Sequence, residues 1–96
     1  MKIWLDDIRP APAGWVWAKT FDKCVFLLSN NKVEEISLDH DLGTKESGYD
    51  ILCLMETWVI NRNYNPPKIN IHSANPVGRA RMELAIQSIV FQSLNL

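Results

Sequence analysis

Short apolar stretches alternate with longer helical patterns along this chain, and each short stretch stops abruptly on polar groups. Lys2-Ile-Trp-Leu5 runs into Asp6-Asp7, Ile36-Ser-Leu38 into Asp39-His40-Asp41, and Ile69-Asn-Ile71 into His72-Ser73. Runs this short and this β-prone predict buried strands over Lys2–Leu5, Glu35–Leu38 and Ile69–Ile71. Trp15 to Thr20 alternates weakly and predicts a further strand, at an edge. Three helices fill the intervals. Phe21, Cys24, Val25 and Leu28 recur at helical spacing behind Thr20 as N-cap, and Asn30-Asn31 close that helix. After a polar loop from Gly43 to Gly48, Ile51, Leu52, Met55, Trp58 and Val59 mark the second, which stops ahead of Pro66-Pro67. Asn75 as cap and Pro76 at the first helical position open the third, with Met82, Ala85, Ile86, Ile89 and Val90 as its stripe.

Strands alternating with helices imply an α/β domain: a mostly parallel sheet of about four strands with three helices, in strand order 2-1-3-4. The link between the first two strands, Arg9 to Gly14, holds two prolines and a glycine, which exclude a helix. An extended return or an antiparallel pairing is expected there instead. In an open α/β sheet the carboxyl ends of the strands form the edge where ligands bind. The polar strand ends therefore mark the candidate site.

Composition narrows the function. The 96 residues suffice for a single domain, 1–96, and 47% hydrophobic residues supply a core. A net charge of −1 excludes ordinary duplex binding, which uses a basic face. Cys24 and Cys53 lie within helical patterns rather than in a CxxC spacing, so buried free thiols in a reducing, cytoplasmic setting are expected. No apolar run approaches the ~20 residues of a membrane span, and acids at positions 6 and 7 are foreign to a signal peptide. At this size, self-association through an apolar helix face is a further option.

Adjacent carboxylates at Asp6 and Asp7 repel unless a cation or an arginine lies between them. They read as a divalent-metal or phosphate-site pair, or as a solvated turn with Arg9 as internal partner. In extended geometry Asp39 and Asp41 share a side and His40 points away; a bend would bring two of the three into one pocket, unless Asp41 only caps the turn before Gly43. The chain has two histidines, and both stand at strand ends. A pair of imidazoles can act as acid and base in cyclic phosphodiester hydrolysis. Ser73 to Arg79 is a turn into a helix start, whose free N–H groups favour an anion, with Arg79 or Arg81 adding a bidentate contact. The plainer reading is N-capping by Asn75 with surface arginines. The glycines match neither a Walker A nor a dinucleotide fingerprint. Trp15 and Trp17 could sandwich a base or pack in the core, while Trp4 and Trp58 read as core.

Four motifs in order carry a family likeness: Leu5 to Trp15 (LDDIRPAPAGW), Ile36 to Gly43 (ISLDHDLG), Gly48-Tyr-Asp50, and His72 to Arg79 (HSANPVGR). Over nearly its whole length the chain resembles the cyclic-phosphate-processing receiver-like domains, relatives of response-regulator receivers with a flavodoxin-like fold. By position, Asp6 and Asp7 look like the receiver's acid pair, Asp39 like its phospho-acceptor and Ser73 like its small hydroxyl residue. The resemblance implies Mg²⁺ held by Asp6, Asp7 and Asp39. The sequence departs from a receiver in three ways: the first crossover helix is reduced to the Arg9–Gly14 loop, the last strand and its lysine have no counterpart, and His40 and His72 are additions. Leu42 and Ala74 stand where the paired His-x-Ser/Thr phosphodiesterases carry hydroxyls, so that pattern is not matched.

The resemblance implies processing of a cyclic phosphate: a cyclic nucleotide or the terminal 2′,3′-cyclic phosphate of RNA. The expected roles are His72 as general acid or base with His40 or Asp39 as counterpart, and Arg9, Trp15, Trp17, Ser73, Asn75, Gly78 and Arg79 as ligand contacts. The rival expectation is a non-catalytic protein that sequesters a cyclic-nucleotide signal, for instance as a viral counter to host defence. A signalling receiver would instead be labelled at Asp39 by acetyl phosphate.

Overall fold

A computed structural model of the chain describes residues 1–94. In chain order its elements are β1 (Lys2–Leu5), β2 (Val16–Ala18), α1 (Phe21–Asn30), β3 (Glu35–Leu38), α2 (Gly48–Arg62), β4 (Lys68–Ile71) and α3 (Pro76–Leu94). The strands form one sheet in the order β2-β1-β3-β4, parallel throughout. This is a receiver-like α/β fold, with the expected strand count and order. Because β1 and β2 pair in parallel, the Arg9–Gly14 loop is an extended return and the antiparallel option is excluded.

Local chemistry explains the element ends. Thr20 caps α1 by accepting from the Lys23 amide at 3.1 Å. Ser47 and Asp50 form a reciprocal capping box at the start of α2. Asn63, in the left-handed region at φ 53°, ends that helix. The Asn75 side chain accepts from the Gly78 amide at 3.1 Å and starts α3.

The register sorts the sheet into two unlike faces. Ile3, Leu5, Ile36 and Leu38 share one face and are fully buried. They join Cys24, Leu27 and Leu28 of α1, Ile51, Leu52, Met55 and Val59 of α2, and Met82 and Ile89 of α3 in a single core. Right-handed crossovers from β2 to β3 and from β3 to β4 run in the same direction across the sheet, so both helices fall on this face, and α3 packs beside α2. Only the β1–β2 link runs the other way, and it carries no helix. The opposite face therefore bears Trp15, Lys2, Glu35 and Lys68 in one row and Trp17, Trp4, Ser37 and Asn70 in the next, with no helix over it among the described residues.

Three expectations about burial are corrected. Trp4 is not core: it stands half-buried on the helix-free face, whereas Trp58 is buried as expected. Cys24 is buried, and burial pushes its thiol up to about 12, but Cys53 is exposed on the outer side of α2. Val90, assigned to the α3 stripe, also faces solvent. No helix among the described residues is long and apolar enough to cross a membrane.

Candidate functional site

The ladder continues one step past the strands. The Asp6 amide donates to Ala18 O, the Asp39 amide to Leu5 O and the His72 amide to Leu38 O, at 2.9–3.1 Å. Asp6, Asp39 and His72 are thereby held in one row at the carboxyl edge, on the same side as Trp4 and Ser37.

Asp6 is the anchor. It is 1% exposed and one of its oxygens accepts from the amides of Ile8 and Arg9 at 2.8 and 2.7 Å. The other lies 3.1 Å from His72 Nε2 and 3.7 Å from Arg9 Nε. Burial opposes its charge, but the two amides and His72 outweigh burial and hold its pKa below the usual carboxylate range. Asp39 goes the other way: burial and then the Asp6 charge raise its pKa, against the bond from the His40 amide. Asp6, Asp7 and Asp39 each offer an oxygen within 4.8 Å of the others. Three hard oxygen donors, one of them unfavourably charged, fit a Mg²⁺-type cation. Gly43 leaves room for the Asp7 carboxylate. Its φ of +70° is one that side chains rarely adopt, and a Cβ there would sit 3.1 Å from Asp7 Oδ2.

The two histidines differ in what they leave free. His72 Nε2 faces the ionised Asp6, and its Nδ1 lies 2.7 Å from the Ser37 hydroxyl. The consistent arrangement puts the proton on Nε2, with Nδ1 accepting from Ser37. Burial lowers the His72 pKa against the pull of Asp6. The ring also stacks on Trp4, with centroids 3.7 Å apart and planes 3° from parallel. Both nitrogens of His72 and one face of its ring are thus engaged within the protein.

His40 has a different setting. Its Nδ1 lies 3.0 Å from Asp41 Oδ1, and Asn75 Nδ2 donates to the other Asp41 oxygen at 3.2 Å. These two bonds hold the Asp41 pKa below the ordinary value. Nε2 of His40 has no protein partner among the described residues. The ring packs against Gly78, where a Cβ would meet it at 2.5 Å, so the small residue at the start of α3 serves the histidine rather than a ligand.

Two clefts meet at this edge. One, of about 390 Å³, is lined by Asp6, Asp7, Arg9, Asp39, Ser73 and Asn75, with Asp41 and Gly43 at its rim. The other, of about 520 Å³, runs from the same Asp41 and Gly43 to His40, Lys45, Tyr49 and Arg81. The Arg81 guanidinium lies 4.3 Å over the Tyr49 ring.

The structure thus gathers Asp6, Asp7, Asp39, Arg9, Ser73 and Asn75 around one cleft and His40 around its neighbour. His72 sits behind Asp6. Arg79 is drawn away: its Nε pairs with Glu83 at 3.2 Å and Nη1 donates to Ile71 O. Gly78 lies under His40, and Trp15 and Trp17 lie on the helix-free face, outside both clefts. Asn75 combines both readings, capping α3 and lining the acid cleft. Sequence reasoning gave no site role to Ser37, Lys45 and Tyr49, and placed Trp4 in the core. Ser37 carried a signal as a hydroxyl inside an apolar strand, and Tyr49 lay within the Gly48–Asp50 motif.

The family described as cyclic-phosphate processing receiver domain covers residues 1–88. No curated protein and no solved structure matches the chain.

Proposed function

The chain belongs to the cyclic-phosphate processing receiver domains, and on that premise we propose that it hydrolyses a cyclic phosphate at the carboxyl edge of the sheet, with the acid trio as its cation site. The observation that carries this reading is the convergence of Asp6, Asp7 and Asp39 within 4.8 Å, in a cleft lined also by Ser73 and Asn75. A cation bound there would neutralise the phosphate and lower the pKa of a bound water. Arg9, which lines the same cleft, offers charge-assisted contacts to phosphate oxygens.

The acid–base role goes to His40. Asp41 fixes its Nδ1, leaving Nε2 to give a proton to the departing ribose oxygen when water attacks phosphorus and one P–O bond of the ring breaks. This is the arrangement in which a carboxylate orients an imidazole for proton transfer. His72 acts at one remove: it holds the buried Asp6 carboxylate in place and is a positioning residue. One positioned acid–base group contributes about 10²–10⁴-fold.

The test is incubation with a panel of cyclic mono- and dinucleotides and cyclic-phosphate-ended RNA in Mg²⁺, read by mass spectrometry. The expected product is heavier by one water, and His40→Ala loses about 10²-fold or more in rate while melting as a folded protein. A His40→Ala rate within about threefold of wild type removes histidine 40 from the chemistry. Recovery of the ligand intact from a saturated complex replaces hydrolysis by sequestration.

A further inference from the structure

All-parallel sheets ordinarily carry helices on both faces, and among the described residues this one carries them on only one. Its helix-free face carries no aliphatic side chain on the three longer strands: Lys2 and Trp4, Glu35 and Ser37, Lys68 and Asn70 occupy it. Such a face is unlike the apolar centre of a permanent protein–protein interface.

Its β1–β2 half interleaves aromatic rings with amines. Trp15 and Trp17 both lie there, half-buried. The Lys2 amine is 5.6 Å from the Trp15 centroid and the Lys19 amine 4.2 Å from that of Trp17. Glu35, the one acid of the two rows, is already met by Asn70 at 2.6 Å and by Lys2 at 3.9 Å. Lys19 and Lys68 have no carboxylate partner among the described residues. Away from the acid trio, the face is therefore positive. Trp4 is spoken for, by the His72 ring on one side and the edge of Trp15 at 6.2 Å, which leaves Trp15 and Trp17 as the rings able to take a base.

The face is continuous with the acid cleft. The row of Trp17 and Trp4 precedes that of Asp6 and Asp39 by two residues, about 6.6 Å along the strands. Arg9 stands on the boundary: its carbonyl accepts from Trp4 Nε1 at 3.0 Å, its guanidinium reaches His72 O at 3.4 Å, and it lines the cleft.

We propose that the helix-free face is a track for single-stranded RNA, whose bases stack on Trp15 and Trp17 and whose phosphates meet Lys2 and Lys19. Aromatic rings interleaved with cations are the means by which single strands are bound without sequence preference, and a duplex keeps its bases stacked out of their reach. The proposal deepens the reading above, on which the 3′ end of such a strand would present its cyclic phosphate to the acid cleft. It narrows the substrate class from small cyclic nucleotides to cyclic-ended RNA.

The test uses the full chain and hexaadenylate with an ordinary 3′-hydroxyl, in Mg²⁺ buffer, read by tryptophan fluorescence. Three of the four tryptophans lie on this face, so saturable quenching is expected, weakening as salt rises. Trp15→Ala and Lys19→Ala should each weaken binding, the former at least about fivefold. Trp17→Phe should retain stacking that Trp17→Ala loses; if Trp17→Ala fails to fold, the Trp15 and Lys19 variants decide alone. Unchanged affinity in those two variants overturns the proposal. So does equal quenching by duplex RNA, or a chain dimer, disrupted by Trp15→Ala, that buries the face. Because the probe has no cyclic phosphate, the two readings fail separately. Binding of hexaadenylate without opening of any cyclic phosphate refutes hydrolysis alone. Opening of cyclic mononucleotides without hexaadenylate binding refutes the track alone.

Discussion

Adjacent residues of the same strands live in opposite worlds. Ile36 is fully buried beneath the helices, while Ser37, next to it, donates to the ring of a site histidine across the sheet. The helix-covered face is built for cohesion, with interlocking aliphatic groups and no charge. The other face, and the carboxyl edge that continues it, collect carboxylates, imidazole, indoles and amines that do little for cohesion and in places oppose it. The cohesive residues and those of the candidate site are thus separated by the period-two alternation of a strand, with the Arg9–Gly14 loop, in place of a helix, leaving the second face without one.

That contrast can be broken most severely from the covered side. Ile36→Ala should cost about 2–5 kcal/mol in urea or thermal unfolding, the range for truncating an enclosed aliphatic side chain. Lys68→Ala, on the open face of the neighbouring strand, should stay within about 0.5 kcal/mol. If the two variants melt alike, the faces are not divided as described.

Next in size is the cation effect. At a hundredfold excess over its dissociation constant, Mg²⁺ should stabilise the fold by about 2.7 kcal/mol, and Asp39→Asn should abolish most of that shift. A wild-type melt that ignores Mg²⁺ would count against the acid trio as a cation site. Ser37→Ala removes one hydrogen bond to His72 and should cost about 0.5–1.5 kcal/mol, a far smaller loss than Ile36→Ala one residue away.

The smallest effect has a defined sign. The Asp39 pKa is raised by burial and the Asp6 charge, so its ionised form is disfavoured in the folded state. The resulting stability is present below the unfolded value of about 3.9 and is lost as pH rises through the folded one. Without metal, Asp39→Asn should therefore melt slightly above wild type at pH 7, with the difference gone below about pH 4. A variant less stable than wild type at pH 7 would mean that the Asp39 carboxylate supports the fold.

Much of this arrangement is legible before any coordinates. The ends of β1 and β3, the caps Thr20 and Asn75 and the order of strands follow from short apolar runs, cap residues and a helix-breaking loop. The Asp6–Asp7 pair and Asp39 stand visibly at strand ends, but their grouping as one trio came from the family resemblance rather than from the pattern of residues. The open face was written in the alternation of Lys2-Ile-Trp-Leu5 and Lys68-Ile-Asn-Ile71, but four residues are too few to distinguish a half-buried strand from a buried one. The state of the histidines was not legible at all. His72 meets Asp6 from β1 and Ser37 from β3, and stacks on Trp4, through contacts that exist only once the three strands lie side by side. The pairing of Arg79 with Glu83 likewise depends on the rotation of α3.

The most direct test of the central claim, that the acid edge of this sheet opens cyclic phosphates, is a phosphorus NMR time course with a 2′,3′-cyclic-phosphate-ended oligonucleotide in Mg²⁺. For wild type the cyclic resonance should give way to that of a phosphomonoester, and for Asp39→Ala, with an intact thermal transition, it should persist. Conversion by Asp39→Ala at the wild-type rate would contradict the account.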